Sequence, residues 1–282
     1  MDEQLNILDR IHASYYQLSA AERKVADHVL VRYDQVQFMS ITQLAEECGE
    51  AEATVSRFCR SLRLKGFNAF KIELAKHSVS GGSVRPQAQN PDTLGGRCQE
   101  VGRRAVEAGN HTLEMVDSRQ ILRAMELFEK APHVMCIGSG GCMIMAEAFA
   151  NLFAMADPKF YAVGDAHAQI SAAATMGQED MIVLFSYSGA TTAGVQVLEL
   201  AKSRGIATGL VTRYPKSPAA KLADVVLRCG SNEGPFQFGS VPAKIAQLVV
   251  MDVLFQEYCH RNRQRCEDNI QRIAAALSDQ HL

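Results

Sequence analysis

The segment Val183-Leu-Phe-Ser-Tyr-Ser-Gly-Ala-Thr-Thr192 constrains the fold more than any other stretch of the chain. An apolar, β-branched and aromatic run stops at two serines, a glycine and two threonines. Val195, Leu198, Leu200 and Ala201 then suit a helix. This reads as a buried strand feeding a helix through a hydroxyl-rich loop. Ser186, Ser188, Thr191 and Thr192 offer hydroxyl donors, the loop offers backbone N–H groups, and the helix dipole favours negative charge. No Lys or Arg lies in the loop, so the anion it suits is a small phosphate group on a polar molecule. A plain strand–turn–helix with a Ser/Thr cap is the reading without a ligand.

A second loop of the same kind narrows the choice. Val134-Met-Cys-Ile-Gly-Ser-Gly-Gly141 is again an apolar strand running into small residues, ahead of the helical stretch from Met143 to Met155. Gly138, Gly140 and Gly141 permit close backbone approach or positive φ, and Ser139 adds a hydroxyl. Met143 stands where the third glycine of a dinucleotide fingerprint would be, which argues against a nicotinamide or flavin oxidoreductase. Two such strand–loop–helix units place both loops on the C-terminal edge of a parallel sheet, where open α/β folds bind ligands.

Ile137-Gly-Ser-Gly-Gly141 and Phe185-Ser-Tyr-Ser-Gly-Ala-Thr191 resemble the SIS (sugar isomerase) domain. The resemblance continues through Gly164-Asp-Ala-His167, Gln178-Glu-Asp180, Ala201-Lys-Ser-Arg-Gly205, Leu210-Val-Thr212, the run Ser217 to Asp224 and the late helix Ala246 to Leu254, so it covers roughly residues 120 to 258. It implies a flavodoxin-like parallel sheet that binds phosphorylated sugars, with Ser139, Ser186, Ser188 and Thr191 on the phosphate. Gly138, Gly140 and Gly189 complete the expected ligand set. His167 follows a strand near these loops and either lines the pocket or satisfies a loop carbonyl.

The first eighty residues carry a different pattern. Ser19-Ala-Ala-Glu22 and Ser40-Ile-Thr-Gln43 are capping boxes that open helices at Ala20–Val31 and Ile41–Cys48. Gly49 ends the second, and a third, over Ala53–Leu64, has Val55, Phe58, Cys59 and Leu62 at helical spacing. Thr54, Ser56, Arg57, Arg60, Ser61 and Arg63 are expected on its other face. Two short helices about a glycine turn form a helix-turn-helix. The chain is nearly neutral, with a formal charge of −2. Arg57, Arg60, Arg63, Lys65, Lys71 and Lys76 nevertheless stand together against the single acid Glu73. A local basic face on the second helix suits DNA. Thr54, Ser56, Arg57, Arg60, Arg63 and Lys65 are the expected DNA contacts.

A helix-turn-helix followed by SIS resembles the RpiR family of bacterial transcriptional regulators. The resemblance rests on Ser40 to Gly49, Ala53-Thr-Val-Ser-Arg-Phe-Cys-Arg-Ser-Leu62, Gly66-Phe-Asn-Ala-Phe-Lys71 and the SIS loops. It implies an all-α DNA-binding domain at 1–77, a linker at 78–96 rich in Gly, Pro, Ser and Asn, and an α/β SIS domain with flanking helices at 97–282. It also implies a dimer or tetramer that reads an inverted-repeat operator and responds to a sugar phosphate. Two departures stand out. Glu50-Ala51 replaces an apolar residue and Ser before the third helix, which removes a cap and sets an acid near DNA phosphate. Ala243-Lys244 replaces Ser-Arg before the last SIS helix.

The remaining bounds agree. No apolar run reaches eighteen residues, and the N-terminus is acidic and polar, so neither a membrane span nor a signal peptide is expected. The eight cysteines form no C-x-x-C pair and read as reduced core thiols of a cytoplasmic protein, with no metal or cofactor expected. The alternative function is a sugar-phosphate isomerase. Its enediol chemistry needs a positioned base, for which Glu147 and His167 are available, and it gives no use to a basic helix-turn-helix.

Overall fold

The computed structural model describes residues 7–80, 93–230 and 241–278. They form two compact units, with the division between Arg104 and Ala105. The first unit is all helical: α1 (Ile7–Ser14), α2 (Ala20–Val36), α3 (Ile41–Glu47), α4 (Glu52–Ser61) and α5 (Phe67–Ser80). Both capping boxes form, Ser19 with Glu22 and Ser40 with Gln43. Val25, Val29, Leu44, Val55, Phe58, Leu62, Phe70 and Leu74 make one buried core, in which Phe58 meets Phe70 edge-on at 5.4 Å.

Helix α2 runs five residues past the expected Val31, through non-helical backbone at Arg32, and ends by burying Val36. Helix α4 ends earlier than expected. Arg63 adopts a left-handed φ of 59°, and the Leu64 N–H reaches back to the Cys59 carbonyl, so Arg63 belongs to a terminating turn and not to the helix.

Two helices reach into the ends of the expected linker span. Ser78–Ser80 complete α5, and Leu94–Gly96 open the long helix α6 (Leu94–Met115) despite two glycines. Residues 81–92 of the expected linker lie outside the described residues.

The second unit adds α7 (Ser118–Lys130), β1 (Val134–Gly138), α8 (Gly141–Ala156), β2 (Phe160–Ala162), α9 (Ala166–Thr175), β3 (Met181–Phe185), α10 (Thr192–Arg204), β4 (Ala207–Thr212), β5 (Val225–Arg228), α11 (Val241–Arg261) and α12 (Arg263–Leu277). The strands form one parallel sheet in the order β2-β1-β3-β4-β5. The two faces follow the period-two alternation of strand side chains. Val134, Cys136, Val183 and Phe185 pack with Phe128, Phe149, Phe153 and Tyr258 on one side. Met135, Ile137, Ile182 and Leu184 pack with Ala173, Val197, Leu198 and Ala201 on the other. Burial on both faces explains why these strands are continuously apolar.

One buried polar cluster ties the last helices to α8. Asp157 accepts hydrogen bonds from Tyr258 Oη at 2.9 Å and Arg265 Nη1 at 2.7 Å. Burial pushes the Asp157 carboxyl up, but these bonds outweigh it and hold the carboxyl below its ordinary value. Burial together with the bond to Asp157 drives the Tyr258 hydroxyl well above its own.

Candidate ligand and DNA sites

The strand order reverses between β1 and β3, and in sheets of this order ligands bind in the crevice at that switch point. Gly138 and Phe185 are direct partners in the β1–β3 register. The next residues, Ser139 and Ser186, therefore leave the sheet from neighbouring strands about 4.8 Å apart. The two loops meet at the C-terminal edge.

Both loops have conformations that only particular residues allow. Gly140 caps α8 with φ 54° and ψ −127°, and Gly189 turns the second loop with φ 60°. A Cβ on Gly138 would stand 2.7 Å from the Cys142 carbonyl oxygen, so the first turn of α8 closes directly over this glycine. A Cβ on Gly189 would stand 2.0 Å from Ser217 Oγ. Neither α8 nor α10 has a side-chain hydrogen bond capping its N-terminus. Their leading N–H groups and positive dipole ends both point toward the same edge of the sheet.

Ser139, Ser188 and Thr191 are exposed at this edge. Ser186 is buried, and its hydroxyl lies 3.4 Å from Thr191 Oγ1, so it braces the loop from beneath. Ser188 Oγ accepts from the Ala190 N–H at 3.3 Å. His167 is exposed in the first turn of α9, behind the Asp165 cap. The Val163 N–H bonds to the Cys136 carbonyl, which carries the loop before α9 to the same edge. Glu147 reaches that loop too, its Oε1 3.8 Å from where a side chain on Gly164 would begin. At the departure noted before the last SIS helix, Ala243 is buried in the first turn of α11 and Lys244 is half-buried.

Two supports were not anticipated from sequence. Gln169 is buried and its Nε2 donates to the carbonyls of Gly138 at 2.9 Å and Val163 at 2.8 Å, locking the end of β1 to the β2–α9 loop. Ser217 is fully buried under Gly189, and the Ala219 N–H donates to the Gly189 carbonyl at 2.9 Å. Nothing in the Ala-rich sequence around Gln169 marks it. Ser217 carried a signal, since it belongs to the SIS-like run that starts there.

In the first unit, Arg57, Arg60, Arg63 and Lys65 are exposed and Ser56 is half-buried. Thr54 is buried, contrary to its expected place on the outer face. It stands one helical turn before Phe58 and so shares the inward face, where Arg57 Nη2 donates to its hydroxyl at 3.2 Å. Ser61 stays exposed, as expected, and donates to Glu22 Oε1 at 2.9 Å. Burial pushes the Glu22 carboxyl up, but bonds from Ser19 and Ser61 and the charge of Arg57 together hold it below the ordinary value.

The helix-turn-helix model of the rpiR family matches residues 5–81, and the SIS domain model matches residues 127–256. The chain belongs to the RpiR family. The Escherichia coli transcriptional regulator HexR is 28% identical over 98% of this chain and 95% of its own. The solved structure of Vibrio vulnificus NanR complexed with ManNAc-6P superposes with a TM-score of 0.87 at 27% identity, over 98% of this chain and 99% of that one. The sugar isomerase domain of an RpiR transcription factor from Sphaerobacter thermophilus shares the fold of the second unit, with a TM-score of 0.58 at 21% identity over 62% of this chain and 97% of that one. The chain is thus an RpiR-family transcriptional regulator with a helix-turn-helix and a SIS domain. No helix among its described residues is long and apolar enough to cross a membrane.

Proposed function

We propose that this cytoplasmic regulator controls genes of carbohydrate metabolism, reading an inverted-repeat operator as a homo-oligomer and responding to a phosphorylated sugar in the crevice between β1 and β3. The observation that carries the reading is the Gly138–Phe185 register, which sets two glycine- and hydroxyl-bearing loops side by side at helix N-termini. Ser139, Ser188, Thr191 and the leading N–H groups of α8 and α10 receive the phosphate. Gly138, Gly140 and Gly189 let the backbone close on it, Ser186 holds the second loop in shape, and His167 and Glu147 face the sugar. Arg57, Arg60, Arg63 and Lys65, with Ser56, meet the DNA. The ManNAc-6P seen with NanR supports a sugar phosphate as the chemical class.

A ligand shifts such a regulator only by its differential affinity for the DNA-bound and free states. The test is a titration of a protein–operator complex with a panel of sugar phosphates, ManNAc-6P among them, and with the same sugars lacking phosphate. One sugar phosphate is expected to change operator affinity by about 5–150-fold, and its unphosphorylated sugar is expected to leave it unchanged. The same sugar phosphate is expected to come through unconverted, since the sequence of the second unit places no base by a motif of catalysis. Aldose–ketose turnover lost on Glu147→Gln would replace this reading with the isomerase.

A further inference from the structure

Glu50 is an acid in the wrong place for a DNA reader. It lies two positions before the first residue of α4, and its backbone is fixed by the Gly49 turn at φ 65° and by its N–H bond to the Ala45 carbonyl at 2.8 Å. The N-terminal residues of a recognition helix approach base edges and the phosphates beside them. A carboxylate held there repels the DNA backbone unless its charge is answered within the protein.

The structure supplies that answer. Lys24, from the second turn of α2, reaches across to Glu50 with Nζ 2.8 Å from Oε1. The carboxylate side chain is only 15% exposed, whereas the lysine is 64% exposed. The hydrogen bond and negative charge of Glu50 hold the Lys24 ammonium above its ordinary pKa. The other acid at this end of α4 is tied separately, because Glu52 Oε1 accepts from the buried Thr42 hydroxyl at 2.7 Å. Thr42 orients Glu52, and Lys24 pairs with Glu50. The Glu50 carboxylate is therefore the one that Lys24 governs.

We propose that Lys24 is a positioning residue for DNA recognition, which draws the Glu50 carboxylate against α2 and cancels its charge so that a DNA phosphate can approach the start of α4. This rests on the reading that α4 enters the DNA. It gives α2, the helix outside the helix-turn-helix pair, a part in recognition. It also accounts for how a chain with Glu50-Ala51 keeps a functional reader.

The test is a double-variant cycle in full-length protein. The probe is a duplex selected by the wild type from a random-sequence pool, and affinity is read by fluorescence anisotropy at fixed salt. Lys24→Ala leaves the carboxylate unanswered and is expected to weaken binding about tenfold or more. Glu50→Gln is expected to bind at least as well as the wild type. The double variant is expected to return to within about threefold of the wild type, because the two sites are coupled and not additive. Thermal midpoints report whether each variant is folded. If Lys24→Ala is unfolded, Lys24→Gln takes its place in the cycle. A double variant as weak as the single Lys24 variant would make Lys24 an ordinary phosphate contact and overturn the proposal, as would undiminished binding by Lys24→Ala. A wild type that selects no duplex would overturn the DNA reading and this proposal with it, whereas failure of the rescue alone removes only the proposal.

Discussion

Replacing Gly189 with alanine is expected to abolish sugar-phosphate binding and to lower the thermal midpoint of the protein by about 10 °C. Two independent costs add. A non-glycine residue at φ 60° is strained by roughly 1–3 kcal/mol. The new Cβ would also start 2.0 Å from Ser217 Oγ and 2.5 Å from its Cβ, and overpacking of a tight site costs about 1–3 kcal/mol more. Ser217 is fully buried and cannot swing aside into solvent. The loop must move instead, and with it Ser188 and Thr191. Gly95→Ala is the matched control, since nothing stands within 4 Å of its added Cβ and the position is helical. Calorimetric melting and ligand titration of both variants check this. A Gly189→Ala protein that melts and binds as the wild type does would mean that the loop is built otherwise.

The second large effect concerns DNA. Arg57→Ala together with Arg60→Ala is expected to weaken operator binding by about a hundredfold at low salt. The slope of log affinity against log salt should fall by about 1.8, that is about 0.9 for each phosphate no longer neutralised. The two side chains are exposed on α4, so the fold should hold, with stability changed by no more than about 0.5 kcal/mol per site. Arg60 should carry the larger share. Arg57 already leans toward Glu22 and donates to Thr54, which draws part of its charge inward. An unchanged salt slope would take both arginines out of the interface.

Much of this was legible in the residues because local and global preferences agree. The apolar runs into Gly138 and Ser186 marked the strand–loop–helix units, and their burial on both faces follows from a parallel sheet between two helical layers. Ser19-x-x-Glu22 and Ser40-x-x-Gln43 placed two helix starts to the residue. Helix ends were less readable. The α4 terminus depends on Arg63 taking a left-handed turn, which no propensity marks for arginine. The polar stretch that carries α2 on to Val36 is held by tertiary burial of Val36, which outweighs weak intrinsic preference. Glycines at 95 and 96 suggested a linker and lie in a helix, again against their intrinsic preference.

The site was readable where backbone geometry demands a residue type, as at Gly138 and Gly189, and unreadable where a side chain acts across the fold. Gln169 sits 31 residues from the carbonyl it holds, and Lys24 sits 26 residues from the carboxylate it neutralises. Sequence spacing carries no trace of either pair. Thr54 differs from these. It belongs to the inward face by its one-turn spacing from Phe58, and its polarity alone suggested the outer one.

The central claim is that hydroxyl and N–H donors of the two paired loops hold a phosphate. Calorimetric titration of the wild type and of Ser188→Ala, with the sugar phosphate that the panel binds most tightly, tests it most directly. Ser188 is exposed at the loop and outside the core, so the variant should fold normally and keep its DNA affinity. A hydrogen bond to a charged group contributes roughly 1.5–3 kcal/mol, so its loss should weaken the sugar phosphate about tenfold or more. Equal affinities for the two proteins would contradict the account, and would place the anion somewhere other than between β1 and β3.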